Sequence, residues 1–262
     1  MSLTFSIITA CLNSASTIPD CLDSIKKQQN VEVEHIIIDG GSSDCILDIV
    51  KNYPHVARII SEPDCGMYDA MNKGIVLATG DVIGILNSDD YYALPSVLTK
   101  VAETFSDPNV DSCYADLIYV DSVNTSKVLR YWKSGNINDR SFYWGWMPPH
   151  PVFFVRREVY EKYGPYRLDL GSAADYEFML RVLVKYKIST AYIPQILVKM
   201  RAGGESNSSL KTRFFAHHMD RKAWSVNGLK PYPWTVHIKP IRKIPQWFAP
   251  YFSKETKLRQ NA

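Results

Sequence analysis

The amino-acid sequence predicts an α/β protein, a mixed and largely parallel sheet with helices on both faces. Three observations carry this prediction. Apolar β-type runs alternate with helix-period segments through the first hundred residues; the runs are short and nearly continuously apolar; and each ends in small or polar residues.

The first run, 5–9 (Phe-Ser-Ile-Ile-Thr), precedes a helix over 18–28 whose apolar positions recur at three and four. The second, 35–39, precedes a helix over 45–53, and the third, 57–60, a helix over 68–78. The fourth, 82–86, ends in Asn-Ser-Asp-Asp at 87–90, and Pro95 then marks a helix start. From Ser112 the pattern is less regular. It holds β-type runs at 117–120 and 128–132, a Trp-, Pro- and Gly-rich loop at 143–151, and a strand at 152–155. A helix over 175–186, two short β-type runs near Ala191 and Ile196, a Gly/Ser-rich loop at 202–209 and a last helix over 210–224 follow. One large domain over 1–228 is expected, with halves of about 1–110 and 111–228, plus an extension over 229–262.

The 262 residues, 46% hydrophobic and 22% charged, suffice for a substantial core and exclude a disordered chain. A net charge of +3 is too small to indicate nucleic acid, but its distribution is uneven. Seven basic residues and one acid give 229–262 a charge of +6 and leave −3 on 1–228. The same segment interleaves Tyr232, Trp234, Trp247, Phe248, Tyr251 and Phe252. It reads as a surface for an anionic membrane, or as a tail packed on the domain, or as a dimer contact; five prolines argue against one long amphipathic helix. No stretch reaches the roughly 18 apolar residues of a membrane span, and no basic leader begins the chain. A cytoplasmic protein, peripheral on the inner face of the cytoplasmic membrane, is expected. The five cysteines are odd in number and widely spaced without a C-x-x-C pair, which predicts reduced packing residues, not a zinc site.

In open α/β sheets ligands sit beyond the carboxyl ends of the strands. Those positions hold Thr9 and Asn13, then Asp39 before a Gly-Gly-Ser-Ser turn, then Glu62 and Asp64, then Asp89 and Asp90. Adjacent carboxylates after a buried strand suit Mg²⁺ or Mn²⁺ with a substrate diphosphate; Asp-Asp taken alone reads first as a helix cap or a solvated turn, and the acids at the neighbouring strand ends turn the reading to the metal. A helix from about Tyr68 carries Asp69, Asn72 and Lys73, the last two suited to a diphosphate and its sugar.

Together, Thr-Ala-Cys-Leu-Asn at 9–13, Ile-Ile-Ile-Asp-Gly-Gly-Ser-Ser-Asp at 36–44, the stretch 62–74 and Leu-Asn-Ser-Asp-Asp-Tyr at 86–91 resemble the nucleotide-binding half of the family 2 inverting glycosyltransferases with the GT-A fold. The resemblance covers about residues 3–225. It implies a Rossmann-like mixed sheet, a nucleotide-diphosphate sugar donor, usually a UDP-sugar, and a divalent metal, Mn²⁺ or Mg²⁺; the basic aromatic extension lies beyond it. By the same resemblance Thr9 and Asp39 line the nucleobase pocket, Asp89 lies by the ribose or the metal, and Asp90 binds the metal. The form of 64–74 resembles the branch that builds bacterial surface polysaccharides of the colanic-acid and O-antigen type, with a saccharide or lipid-linked saccharide acceptor. Three departures stand out: Asn87 where an aspartate is common, Met71 where many members have an arginine, and Ala174 in the Glu-Asp motif.

An inverting transfer needs a general base for the acceptor hydroxyl. Asp175, in Gly-Ser-Ala-Ala-Asp-Tyr-Glu at 171–177, matches the family's catalytic acid motif, with Glu177 as fallback; at a helix start it also reads as an N-terminal cap. Arg201 and Ser206 lie in a polar loop where related enzymes close over the donor, and a plain surface hairpin explains its glycines as well. Trp144, Trp146 and His150 form either an acceptor-sugar platform or core. Two other functions are open to the sequence. A nucleotidyltransferase lacks support because Cys-Leu-Asn-Ser-Ala-Ser at 11–16 has neither a Gly-rich phosphate loop nor basic residues. A silent glycan-binding scaffold draws on Ala174 and Met71.

Overall fold

The computed structural model describes residues 3–203 and 210–247, with side chains described over 3–203 and 217–247. Ser206 and the aromatic and basic residues beyond Trp247 lie outside the described residues. Strands β1 (Thr4–Cys11), β2 (Glu32–Asp39), β3 (Val56–Ser61) and β4 (Val82–Ile85) run parallel, with β2 and β4 flanking β1 and β3 beyond β2. Next to β4 lies the antiparallel β8 (Phe153–Arg156), then β6 (Ser112–Val120), then β9 (Thr190–Arg201), which runs parallel to β6. The two-residue β5 (Tyr91–Tyr92) closes that edge, and β7 (Val128–Trp132) folds back on β6. Because β8 sits between β4 and β6, strands from both halves of the chain share one sheet.

Alternation along the strands fills two cores. Ile8, Ile36 and Ile38 face one side, under α3 (Met67–Leu77), α5 (Arg157–Tyr163), α6 (Ala174–Met179) and α7 (Leu210–Val226). Phe5 and Ile7 face the other, under α1 (Ile18–Lys26) and α4 (Val97–Phe105), and a smaller cluster joins α1 to α2 (Ile46–Val50). Each fully buried isoleucine contributes about 1.5–3 kcal/mol. α3 comes unusually close to β1: a Cβ on Gly74 would stand 2.4 Å from the Ile8 side chain. The last described helix, α8 (Thr235–Ile241), docks through the Thr235 hydroxyl, which donates to the Tyr143 carbonyl at 2.6 Å.

Several expected elements change form. The helix expected over 45–53 shortens to Ile46–Val50, and that over 175–186 splits into α6 and a π-helical turn, Leu180–Lys185. The two runs near Ala191 and Ile196 are one strand, β9, with register shifts opposite Asp116. Pro194 supplies no ladder donor there, and the bulge admits the Asp116 carboxylate, which accepts from Tyr131, Tyr192 and the Ser134 N–H at 2.7–2.8 Å. Cys11, Cys21 and Cys113 pack in the core, whereas Cys45 and Cys65 are exposed, so packing accounts for three of the five.

Candidate active site

Parallel pairing puts the ends of β1, β2 and β3 in line: Cys11 lies opposite Asp39, and Asp39 opposite Ser61. The Asp39 carboxylate accepts from the Ser61 hydroxyl at 2.7 Å, the Ser42 N–H at 3.1 Å and the Ser42 hydroxyl. Burial alone would raise this group, but the hydrogen bonds from Ser42, Ser61 and Gly41 hold it below the usual carboxylate range. Asn13, in left-handed backbone with φ 48°, donates its N–H to the Ser42 hydroxyl and accepts from the Ser43 N–H at 2.9 Å, joining the first two loops. The third loop leans on the second where Gly40 has no side chain: a Cβ there would meet the Asp64 carboxylate at 2.5 Å. Asp69 accepts the Cys65 N–H at 3.0 Å, capping the entry to α3.

Three expected ligand residues are otherwise engaged. Thr9 is wholly buried, its hydroxyl 3.0 Å from His35 Nε2, so it holds the sheet interior and does not line a base pocket. Alternation turns its side chain inward at a position where the sequence shows only a strand end. Asn72 spends its side-chain amide on Tyr166, donating to the carbonyl at 2.8 Å and accepting the N–H at 2.9 Å. Lys73 pairs with Glu62 at 2.8 Å and donates to the Pro63 carbonyl at 3.0 Å.

A second constellation forms where β4 ends. The Asn87 side-chain N–H₂ faces Asp90 Oδ2 at 3.1 Å and His150 Nε2 at 3.3 Å. On the far side of the ring, His150 Nδ1 lies 3.8 Å from Asp175 Oδ2. Since Nε2 accepts from Asn87, the ring proton sits on Nδ1 and points at Asp175. Burial pushes His150 below its ordinary value, against the pull of Asp175 and Asp89, so the ring is neutral at pH 7. Asp175 is the second residue of α6, not its cap; one oxygen accepts the Tyr176 N–H at 2.7 Å, and the Tyr68 hydroxyl also bonds to the carboxylate.

The adjacent acids differ. Asp89 is half-buried and Asp90 fully buried. Burial raises both, and the Asp89 charge raises Asp90 further. Arg201, nearly buried, donates to the Asp89 carbonyl at 2.7 Å, pairs with Asp20 and lies over the Tyr91 ring, so it borders this pair while Lys73 does not. Asp90 Oδ1 and Asn87 Oδ1 are buried without hydrogen-bond partners. Among the described residues no three His, Cys, Asp or Glu side chains converge on one point. The donor set is therefore partial and made of oxygens, which fits a hard divalent cation sharing its remaining positions with diphosphate and water.

The fallback base is ruled out, because Glu177 is buried, salt-bridged to Arg181 at 3.0 Å and bonded to Asn227 at 3.1 Å. Trp146 is core, its indole donating to the Ser134 carbonyl at 2.7 Å, and Trp144 stacks near Tyr232 and Trp234 of the extension. His150 thus leaves the expected platform and joins the carboxylates. Tyr68, within the stretch 62–74, and Asn87, beside the paired acids, join the site although residue type marks neither as a ligand. Met71 and Ala174 are wholly buried, so each replaces a polar family residue with an apolar packing one.

Residues 6–164 match the description "Glycosyl transferase family 2". A PGL/p-HBAD biosynthesis glycosyltransferase of Mycobacterium bovis is 32% identical over 215 residues, covering 80% of this chain and 82% of that protein. Among solved structures, Staphylococcus aureus TarS in complex with UDP-GlcNAc aligns with TM-score 0.65 and 17% identity over 98% of this chain and 78% of that one. The mannosyltransferase PcManGT of Pyrobaculum calidifontis, in complex with GDP-Man and Mn²⁺, aligns with TM-score 0.65 and 16% identity over 99% of this chain and 74% of that one. The sheet is of the GT-A kind. With strand order, motifs and relatives in agreement, this chain belongs to glycosyl transferase family 2 and is a glycosyltransferase.

Proposed function

We propose that this glycosyltransferase moves a sugar, with inversion, from a nucleotide-diphosphate sugar, a UDP-sugar first, to a hydroxyl of a saccharide or lipid-linked saccharide in bacterial surface polysaccharide synthesis. The observation that carries the reading is the convergence at the end of β4, where Asn87 links Asp90 to His150 by hydrogen bonds and Asp175 stands 3.8 Å beyond the ring, so that Asp89 and Asp90 for the donor's metal and Asp175 for the acceptor's proton surround one half-buried imidazole. In this reading 1–110 holds the donor and 111–228 the acceptor. Asp39 and Asn13 shape the nucleoside end, Asp69 fixes the loop before α3, and Arg201 faces the phosphates.

Asp89, the less buried of the pair, is the metal-facing carboxylate, with Asp90 behind it; the motif alone leaves open which of the two is the main ligand. A bound Mn²⁺ or Mg²⁺ would neutralise the leaving diphosphate. Asp175 accepts the proton of the attacking hydroxyl. The Tyr176 N–H and the Tyr68 hydroxyl hold that carboxylate, and the His150 Nδ1–H, 3.8 Å from its other oxygen, is placed to tighten onto it in the substrate complex and orient it there, while the neutral ring leaves the charge for the base. The donors held by TarS and PcManGT support a nucleotide-sugar, and the Mn²⁺ of the second supports a divalent metal. For the extension, contact with an anionic membrane surface remains part of the proposal: among the described residues Trp234, Ile241, Ile244 and Trp247 are exposed. No described helix is long and apolar enough to cross a membrane.

The test is a panel of nucleotide-sugars assayed with Mn²⁺ or Mg²⁺ for binding, slow hydrolysis and transfer. Asp89→Asn is expected to lose metal-dependent donor binding, and Asp175→Asn to bind donor without transferring. Turnover at the wild-type rate in both variants rejects the assignment.

A further inference from the structure

A cavity of about 440 Å³ lies between β7, the loop at Gly145 and the segment after α8, lined by Trp132 and Trp146 and by four cations, Lys133, Lys239, Arg242 and Lys243. Lys239 has a counter-ion, Asp220, whose oxygens are 3.0 and 2.9 Å from Nζ. Among the described residues no carboxylate lies within ion-pair distance of Lys133, Arg242 or Lys243. Behind the cavity Arg130 is buried against an amide and aromatic rings: its Nε donates to Gln246 at 2.8 Å, and the guanidinium lies over Tyr119 and Trp132. Burial, with Lys239 and Arg130 nearby, pushes Lys243 down to about 8. Four positive groups gathered in a partly enclosed space with one matching acid among the described residues repel one another, and an anion relieves that repulsion.

The cavity adjoins the catalytic cluster. Its wall includes Met147, three residues before His150; the Lys239 ammonium sits 3.7 Å above the Tyr176 ring, next to Asp175; and Lys243 feels the Asp175 charge. Ile241 and Ile244, 58% and 55% exposed, flank the lining residues Arg242 and Lys243 in the chain.

We infer that this cavity binds a phosphate or diphosphate group of the acceptor, which makes the acceptor a glycan on a phosphorylated carrier. The inference rests on Asp175 being the base of the transfer. Phosphate borne by a lipid and phosphate borne by a soluble carrier share this chemistry, and the exposed Ile241 and Ile244, next in the chain to Arg242 and Lys243, suit the apolar part of the former.

The test uses the full chain in EDTA, so that the metal-dependent donor site is silent, with inorganic pyrophosphate as probe and tryptophan fluorescence as readout. Saturable quenching is expected, weakened about tenfold in Lys243→Ala, restored in Lys243→Arg and unchanged in Asp89→Asn. The exposed Lys133→Ala and Arg242→Ala variants give the same direction without touching a buried side chain. Absence of saturable quenching, or loss of it in Asp89→Asn with retention in Lys243→Ala, overturns the inference. Competition between pyrophosphate and phosphatidylglycerol vesicles that depends on Lys243 assigns the phosphate to a lipid; pyrophosphate binding without competition assigns it to a soluble carrier. Pyrophosphate binding alongside unimpaired transfer in Asp175→Asn sustains the site and rejects only the catalytic reading.

Discussion

The loops after β1, β2 and β3 and the cluster around His150 occupy one edge of the same sheet, yet they treat polar groups in opposite ways. In the loops nearly every such group has a partner. Asp39 takes bonds from Ser42 and Ser61, Asn13 ties two loops together, and Asn72 uses both ends of its amide on Tyr166. Around His150, Asp90 Oδ1 and Asn87 Oδ1 have none, and the imidazole stands 3.8 Å from Asp175, beyond hydrogen-bond reach. Satisfied groups confer stability and shape; unsatisfied ones in a buried site cost stability until a ligand arrives. The first region is therefore a finished frame, and the second is held ready for donor, metal and acceptor.

Substitutions in the two regions should separate rate from stability. The largest expected effect is that of Asp175→Asn, a fall in kcat of about 10³ with donor affinity retained, measured by steady-state kinetics and equilibrium binding. Equal loss of donor binding would move Asp175 into the frame. His150→Gln should lower kcat by about tenfold to a hundredfold while the melting temperature holds, because the ring orients the base without reacting. A large drop in melting temperature with normal kcat would make His150 structural.

In the frame, Asp39→Ala should cost about 1–3 kcal/mol in denaturant unfolding, through the donors it strands on Ser42 and Ser61. Its folded carboxyl is depressed, so the stabilisation it gives is present above the unfolded value and disappears as pH falls through the lower folded one. His35 contributes a second acid effect. Burial, aided by His55, lowers it from 6.5 to about 3, so the unfolded chain takes up a proton that the native one refuses. Stability should fall by about 1.4 kcal/mol per pH unit between pH 6 and pH 4, and His35→Phe should flatten that slope. The smallest effect is expected at Asn72→Ala, about 1 kcal/mol with unchanged kinetics. A kinetic defect there would break the division between frame and cluster.

Periodicity alone located β1 to β4, because short apolar runs between helix-period segments have few other solutions. It could not foresee β5, two residues that are strand only because β9 pairs with them, or the joining of the runs near Ala191 and Ile196 around Asp116. Among site residues, the ends of β2 and β4 were legible as acids following buried strands. The roles of Thr9, Asn72 and Glu177 were not, since the partners His35, Tyr166 and Asn227 are fixed by packing that spacing does not encode; only the Glu177–Arg181 pair, four residues apart on a helix, was open to a reading of spacing. For the extension the sequence left open membrane contact, packing on the domain and a dimer contact, and the structure turns Lys239, Tyr232 and Gln246 inward onto Asp220, Tyr143 and Arg130.

By itself, then, the sequence determined the α/β class, the strand ends that bear carboxylates and the family motifs, all of which depend on local periodicity and residue type. The tertiary structure alone decided which groups meet. His150 reaches both Asn87 and Asp175 because β8, which its turn precedes, inserts beside β4, and Lys243 reaches the same neighbourhood because α8 folds back over the Gly145 loop. Contacts between residues 63 and 25 positions apart in the chain are set by how the elements pack, and a linear pattern carries no record of that distance.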